Sequence, residues 1–264
     1  MQPLAAFNAD ARHAIRGVLC DIDDTLTTGG RLTAAAYGAL ERLHAAGLSV
    51  VPITGRPAGW CDHIARMWPV DAVVGENGAF WFRYDHAKKS MQRQFVDPPE
   101  VRARHRTALT AIAADILAAV PGAGMAADQQ YRETDLAIDF CEDVPRLADN
   151  AVQHIVALMQ QRGLTAKVSS IHVNGWFGRY DKLAMTRRLY ADCFGIDLDA
   201  ARAHYVFVGD SPNDAPMFGY FPHAVGVANV RAFAGQLTHD PAYVTTAAAG
   251  AGFVELADLL LMDN

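Results

Sequence analysis

Short apolar runs, each too brief for a helix and each halted by polar residues, recur along the chain. Val18 to Cys20 stops at Asp21-Ile22-Asp23-Asp24-Thr25, Leu48 to Ile53 at Thr54-Gly55-Arg56, and Asp71 to Val74 at Gly75-Glu76-Asn77-Gly78. The pattern returns late, where Tyr205 to Val208 runs into Gly209-Asp210-Ser211-Pro212-Asn213-Asp214 and Ala224 to Val227 into Ala228-Asn229. Such runs read as buried strands emptying into loops. After the first lies an Ala-rich amphipathic stretch with Thr33 placed to cap its start and Gly47 to stop it, which predicts a helix. Further helices are predicted from Pro57, over 181–194 and over 252–262. Strands alternating with helices at this spacing predict a doubly wound α/β parallel sheet whose ligands bind beyond the carboxyl ends of the strands.

Residues 84–177 differ in character. Lys88 to Val96 has the look of a strand, and Pro98-Pro99 opens a long Ala-rich helix that ends near Pro121-Gly122. Leu136 to Phe140 alternates like a half-buried strand, 146–162 is helical, and Ala166 to Val173 alternates again. The chain therefore reads as a catalytic core over 1–83 and 178–264, with an inserted smaller α/β cap over 84–177, placed where a lid would lie over the strand ends.

Composition narrows the partners. The hydrophobic share is 51% and the charged share 20%, which excludes a disordered chain. A net charge of −6 argues against a broad basic face for nucleic acid. No run approaches a membrane span, and Asp10 and Arg12 interrupt the place of a signal peptide, so a cytoplasmic protein is expected. The four cysteines, Cys20, Cys61, Cys141 and Cys193, form no Cys-x-x-Cys pair and read as reduced thiols. Cys61-Asp62-His63 lacks the partners of a metal site, and the Ala-rich 107–120 lacks the basic face of a membrane helix. Subunit contacts leave no mark in the sequence.

The chemistry lies at the strand ends. Asp21, Asp23 and Asp24 with Thr25, then Thr54, Lys182, and Asp210 with Asn213 and Asp214 would gather at one mouth. Crowded carboxylates repel, and a divalent cation held by oxygen ligands resolves the repulsion, with magnesium the best fit. A lysine, a hydroxyl and loop amides then supply donors for phosphoryl oxygens. Taken singly, each group is an ordinary turn, cap or surface charge. Their conjunction, one cluster per strand end, favours function.

The run Val18 to Leu26, with its Asp-x-Asp-x-Thr, resembles the first motif of the haloacid dehalogenase (HAD) superfamily of phosphohydrolases. Val51 to Arg56 resembles the second motif, Lys182 the third, and Gly209 to Asp214 the fourth. The insertion and Glu76-Asn77-Gly78-Ala79 are similar to the Cof-type or class IIB branch of sugar phosphatases and phosphomannomutases, with Asp24 standing where many members carry Gly. The resemblance implies a Rossmann-like core, Asp21 as nucleophile, Asp23 as acid and base, and Thr54 and Lys182 on the non-bridging oxygens. It implies Mg²⁺ held by Asp21, the Asp23 carbonyl, Asp210 and Asp214, and phosphate or substrate contacts from Thr25, Gly55, Arg56, Asn77 and Asn213. The expected substrate is a small phosphorylated metabolite, a sugar phosphate above all. Arg132, Glu133 and Asp135, or His172, Asn174 and Trp176, are the cap residues that would face its hydroxyls. A phosphomutase uses the same first steps, and an aspartate-phosphorylated receiver or other non-catalytic phosphate-binding module uses a similar cluster, though the receiver's acceptor follows a later strand.

Overall fold

The computed structural model describes residues 1–262, and the counts below are of those residues. A six-stranded parallel sheet forms the centre, in the order Gln2–Pro3, Tyr243–Val244, Val225–Gly226, Tyr205–Gly209, Gly17–Cys20, Ser49–Pro52. Past its last strand, a parallel bridge from Ile53 to Val74 joins Val73–Gly75, and the antiparallel hairpin Phe80–Asp85 and Ser90–Phe95 continues that edge. Helices cover both faces, so the central strands are buried on both sides and can be apolar throughout. The chain thus has the doubly wound α/β architecture that the alternation predicts.

Local signals act as read. Thr33 Oγ1 accepts from the Ala36 amide at 3.2 Å at the start of Ala34–Ala45. That helix ends when Gly47 turns to φ +81°, letting the Leu48 amide reach back to the Leu43 carbonyl at 3.1 Å. The late helices are Lys182–Leu189, continued by a wider turn at Tyr190–Phe194, and Ala249–Leu261.

Between the halves of the core stands a second layer. An antiparallel sheet in the order Thr165–Val168, His172–Trp176, Asp135–Asp139, Gly124–Met125 packs on the helices Pro99–Ala119 and Asp149–Gln161 around its own apolar cluster. One expectation is corrected here: 166–173 is not one strand but parts of two, folded back at Ser169. The Ser169 amide donates to the His172 carbonyl at 2.8 Å, and its Oγ accepts from the His172 amide at 3.0 Å. No helix is long and apolar enough to cross a membrane among the described residues. The four cysteines are free thiols.

Candidate active site

The parallel strands deliver their polar ends to one mouth. Strand Gly17–Cys20 ends at Asp21, Ser49–Pro52 leads through Ile53 to Thr54, and Tyr205–Gly209 ends at Asp210. Asp24 adopts φ +54°, the left-handed region where glycine is at ease and aspartate is tolerated. Its amide donates to Thr27 Oγ1 at 3.1 Å and its carbonyl accepts from Asn229 Nδ2 at 3.0 Å, which fixes the turn without a glycine.

Asp21, Asp210 and Asp214 are buried, and an oxygen from each lies within 4.8 Å of the other two. Lys182 Nζ donates to Asp21 Oδ1 at 2.6 Å and to Asp214 Oδ1 at 2.8 Å. The other Asp214 oxygen accepts from the Asp210 amide at 3.1 Å, and Asp210 accepts from Thr25 Oγ1 at 3.1 Å and Asn229 Nδ2 at 3.2 Å. One ammonium faces three carboxylates. Burial pushes the Asp21 carboxyl up to about 7, with Lys182 opposing and Asp214 and Asp23 adding to the rise. Burial, then Asp21 and Asp214, raise Asp210 well above the usual range. Excess buried negative charge on hard oxygen ligands is the condition a divalent cation relieves, so the donor set fits one.

Thr54 is fully buried, its Oγ1 accepting from the Arg56 amide at 3.0 Å. Asn77, at φ +55°, donates its amide to the Thr54 carbonyl at 3.0 Å, and its buried Nδ2 has no protein partner. Asn213 Oδ1 accepts from Ser211 Oγ at 2.7 Å at the rim.

Arg56 crosses from the core to the second layer. Its guanidinium holds Asp23 at 2.7 and 3.0 Å, Glu142 at 2.8 Å and Asp128 at 3.3 Å. Of the residues expected from the insertion, Arg132, His172 and Asn174 all line the cavity over Asp21 and Asp23, together with Gly55, Arg56 and Asn213. Arg132 is committed to Asp128, Asp135 and the Gly55 carbonyl, and Asn174 Nδ2 donates to Asp135 at 3.0 Å. Glu133 turns away to Arg102 and Arg106, and Trp176 stacks on Tyr180. That cavity measures about 20 Å³, room for little more than a water.

Sequence reasoning missed Asp128, Asp139, Glu142 and Asn229 as parts of this site. Only Asn229 left a signal, as the polar stop after an apolar run. Asp128 and Glu142 meet Arg56 across 72 and 86 residues, which no local pattern encodes, and Asp139 accepts the nearby amides of Cys141, Glu142 and Asp143 in a turn that no motif marks.

Residues 18–116 match the model of the haloacid dehalogenase-like hydrolases. No curated protein matches the sequence. Among solved structures, Thermoplasma acidophilum 0175 is similar at 17% identity and TM-score 0.68, covering 93% of this chain and 98% of its own. A protein described as a HAD/COF-like hydrolase from Plasmodium vivax is similar at 17% and 0.68, covering 96% and 98%. The sucrose-phosphatase from Synechocystis sp. PCC6803, solved with sucrose and phosphate, is similar at 15% and 0.63, covering 93% and 98%. These likenesses show a shared fold.

Proposed function

We propose, from the match of residues 18–116 to the haloacid dehalogenase-like hydrolases and from the geometry of the strand ends, that the chain is a hydrolase of that family and a Mg²⁺-dependent phosphatase of a small phosphomonoester, a sugar phosphate above all. The observation that carries the reading is the buried Lys182 bridging Asp21 and Asp214 beside Asp210, under a layer that covers the mouth. Asp21 attacks phosphorus, its oxygen forming a bond as the ester oxygen leaves, and the resulting aspartyl-phosphate divides one hard step into two. Lys182 screens the approach of an anionic nucleophile to an anionic phosphate. Thr54 and the unpartnered Asn77 Nδ2 supply further donors for the non-bridging oxygens. Magnesium would be held by Asp21, the Asp23 carbonyl, Asp210 and Asp214, and supplies positive charge to the transferring group.

Asp23 serves as acid to the leaving oxygen and as base to the incoming water. Its carboxylate is clamped by Arg56 at 2.7 and 3.0 Å. To take or give a proton the carboxylate has to leave that clamp, and the cavity over Asp21, about 20 Å³, has to widen to admit a phosphoryl group.

The test is phosphate release from a panel of phosphomonoesters with Mg²⁺ or chelator, using Asp21→Asn as control. Metal-dependent release that vanishes in the variant is expected. Isomerised sugar phosphate without free phosphate would replace the reading by a mutase, and silence in both assays by a binding role.

A further inference from the structure

The cavity over Asp21 adjoins a second one of about 270 Å³, the two sharing Asp23, Arg56 and Ile171. Asp24, Thr27 and the glycine pair at 29–30 wall it on the core side, Cys141 and Glu142 on the other. Glu142 is built into this wall. The buried Asp139 carboxylate accepts the amides of Cys141, Glu142 and Asp143 at 2.8, 2.7 and 2.8 Å, which fixes the backbone that presents it. One carboxylate oxygen meets Arg56 Nη2 at 2.8 Å and the other lies 2.9 Å from His172 Nε2. Each ionised carboxylate oxygen can accept twice, so these partners leave acceptor capacity, and the side chain is still 27% exposed. His172 beside it, then the hydrogen bond from Arg56, take its pKa down to about 2, which favours the carboxylate at neutral pH.

Resting on the phosphatase reading above, we propose that this second cavity receives the leaving group and that Glu142 selects it. The occupant is an uncharged polyhydroxylated alcohol whose hydroxyls donate to Glu142. An alcohol bearing its own carboxylate or second phosphate is rejected, because Asp23, Asp24 and Glu142 line the same space and Arg56 already answers two of them. The size agrees, since 270 Å³ accommodates a sugar while the cavity over Asp21 has space for a water.

The experiment compares kcat/KM, with Mg²⁺, for a hexose phosphate, a phosphorylated hydroxy acid and p-nitrophenyl phosphate, in wild type, Glu142→Gln and Glu142→Asp. Wild type is expected to favour the hexose phosphate over the hydroxy acid. Glu142→Gln should lower the hexose-to-nitrophenyl ratio by about tenfold or more, the loss of a hydrogen bond to a charged acceptor, and narrow the bias against the hydroxy acid. Glu142→Asp should fall between. Rates that drop together, with both ratios unchanged, would show that Glu142 acts only through Arg56 and overturn the proposal. A wild-type preference for the hydroxy acid would overturn it as well. Absence of Asp21-dependent release from all three substrates is a different failure, that of the phosphatase reading, and shows in wild type before any Glu142 variant is made.

Discussion

Lys182 Nζ lies 2.6 Å from Asp21 Oδ1 and 2.8 Å from Asp214 Oδ1, with the lysine 4% exposed. It is the cation that makes three adjoining buried carboxylates tolerable. Lys182→Met keeps the length of the side chain and removes the charge, so two carboxylates lose their partner in a low-dielectric place. Stability should fall by about 3–5 kcal/mol, the usual cost of breaking a buried pair from one side. Part of it should return with Mg²⁺, and turnover should drop by about 10²–10³-fold or more. Urea unfolding with and without Mg²⁺ checks this; a variant as stable as wild type in chelator would show that the carboxylates do not depend on the lysine.

The Asp21 carboxyl, raised by burial from 3.8 to about 7, ties stability to pH. Between about 4 and 7 the folded protein keeps a proton that the unfolded chain has lost, so stability in chelator should fall as pH rises through that window and level off above it. Mg²⁺ favours the ionised carboxylates and should flatten the fall. Asp21→Asn should remove its share of the slope. Unfolding midpoints at half-unit pH steps are the measurement, and a chelator curve that rises with pH over the window would contradict the assignment.

What the sequence could disclose follows from locality. Asp21, Thr54 and Asp210 end apolar runs, and those runs are strands because their neighbours bury both faces. Thr33 and Gly47 mark a helix because a cap and a left-handed stop involve residues within a turn of each other. The turn at Ser169 was hidden: no glycine, proline or asparagine marks it, and a serine hydroxyl does their work while the alternation runs on across it. Glu142 was hidden for the opposite reason, since Arg56 stands 86 residues away and the acid gains meaning only when the two layers meet.

Arg56 is the strap between those layers. It binds Asp23 on one side and Asp128 and Glu142 on the other. Arg56→Ala should leave the second layer free to stand away from the core, seen as a larger radius of gyration by small-angle scattering. Arg56→Lys should not restore the compact form, because one ammonium cannot reproduce a planar fork serving three carboxylates. Identical scattering for all three proteins would assign the closure to other contacts.

Glu76 ties the same layers from within. Its fully buried carboxylate accepts from the amides of Ala58, Glu133, Thr134 and Asp135 and from the Thr134 hydroxyl. Both carboxylate oxygens accept from backbone amides, which can only donate, so Glu76→Gln, nearly the same in shape, turns an amide hydrogen toward amide hydrogens whichever way it is placed. The cost should be about 1–3 kcal/mol, the penalty of unsatisfied buried groups. It should also be local: amide hydrogen exchange should quicken at Thr134 and Asp135 before the central strands respond. Exchange that rises uniformly, with those amides no faster than the strand Gly17–Cys20, would mean that Glu76 stabilises the chain as a whole and does not hold this joint.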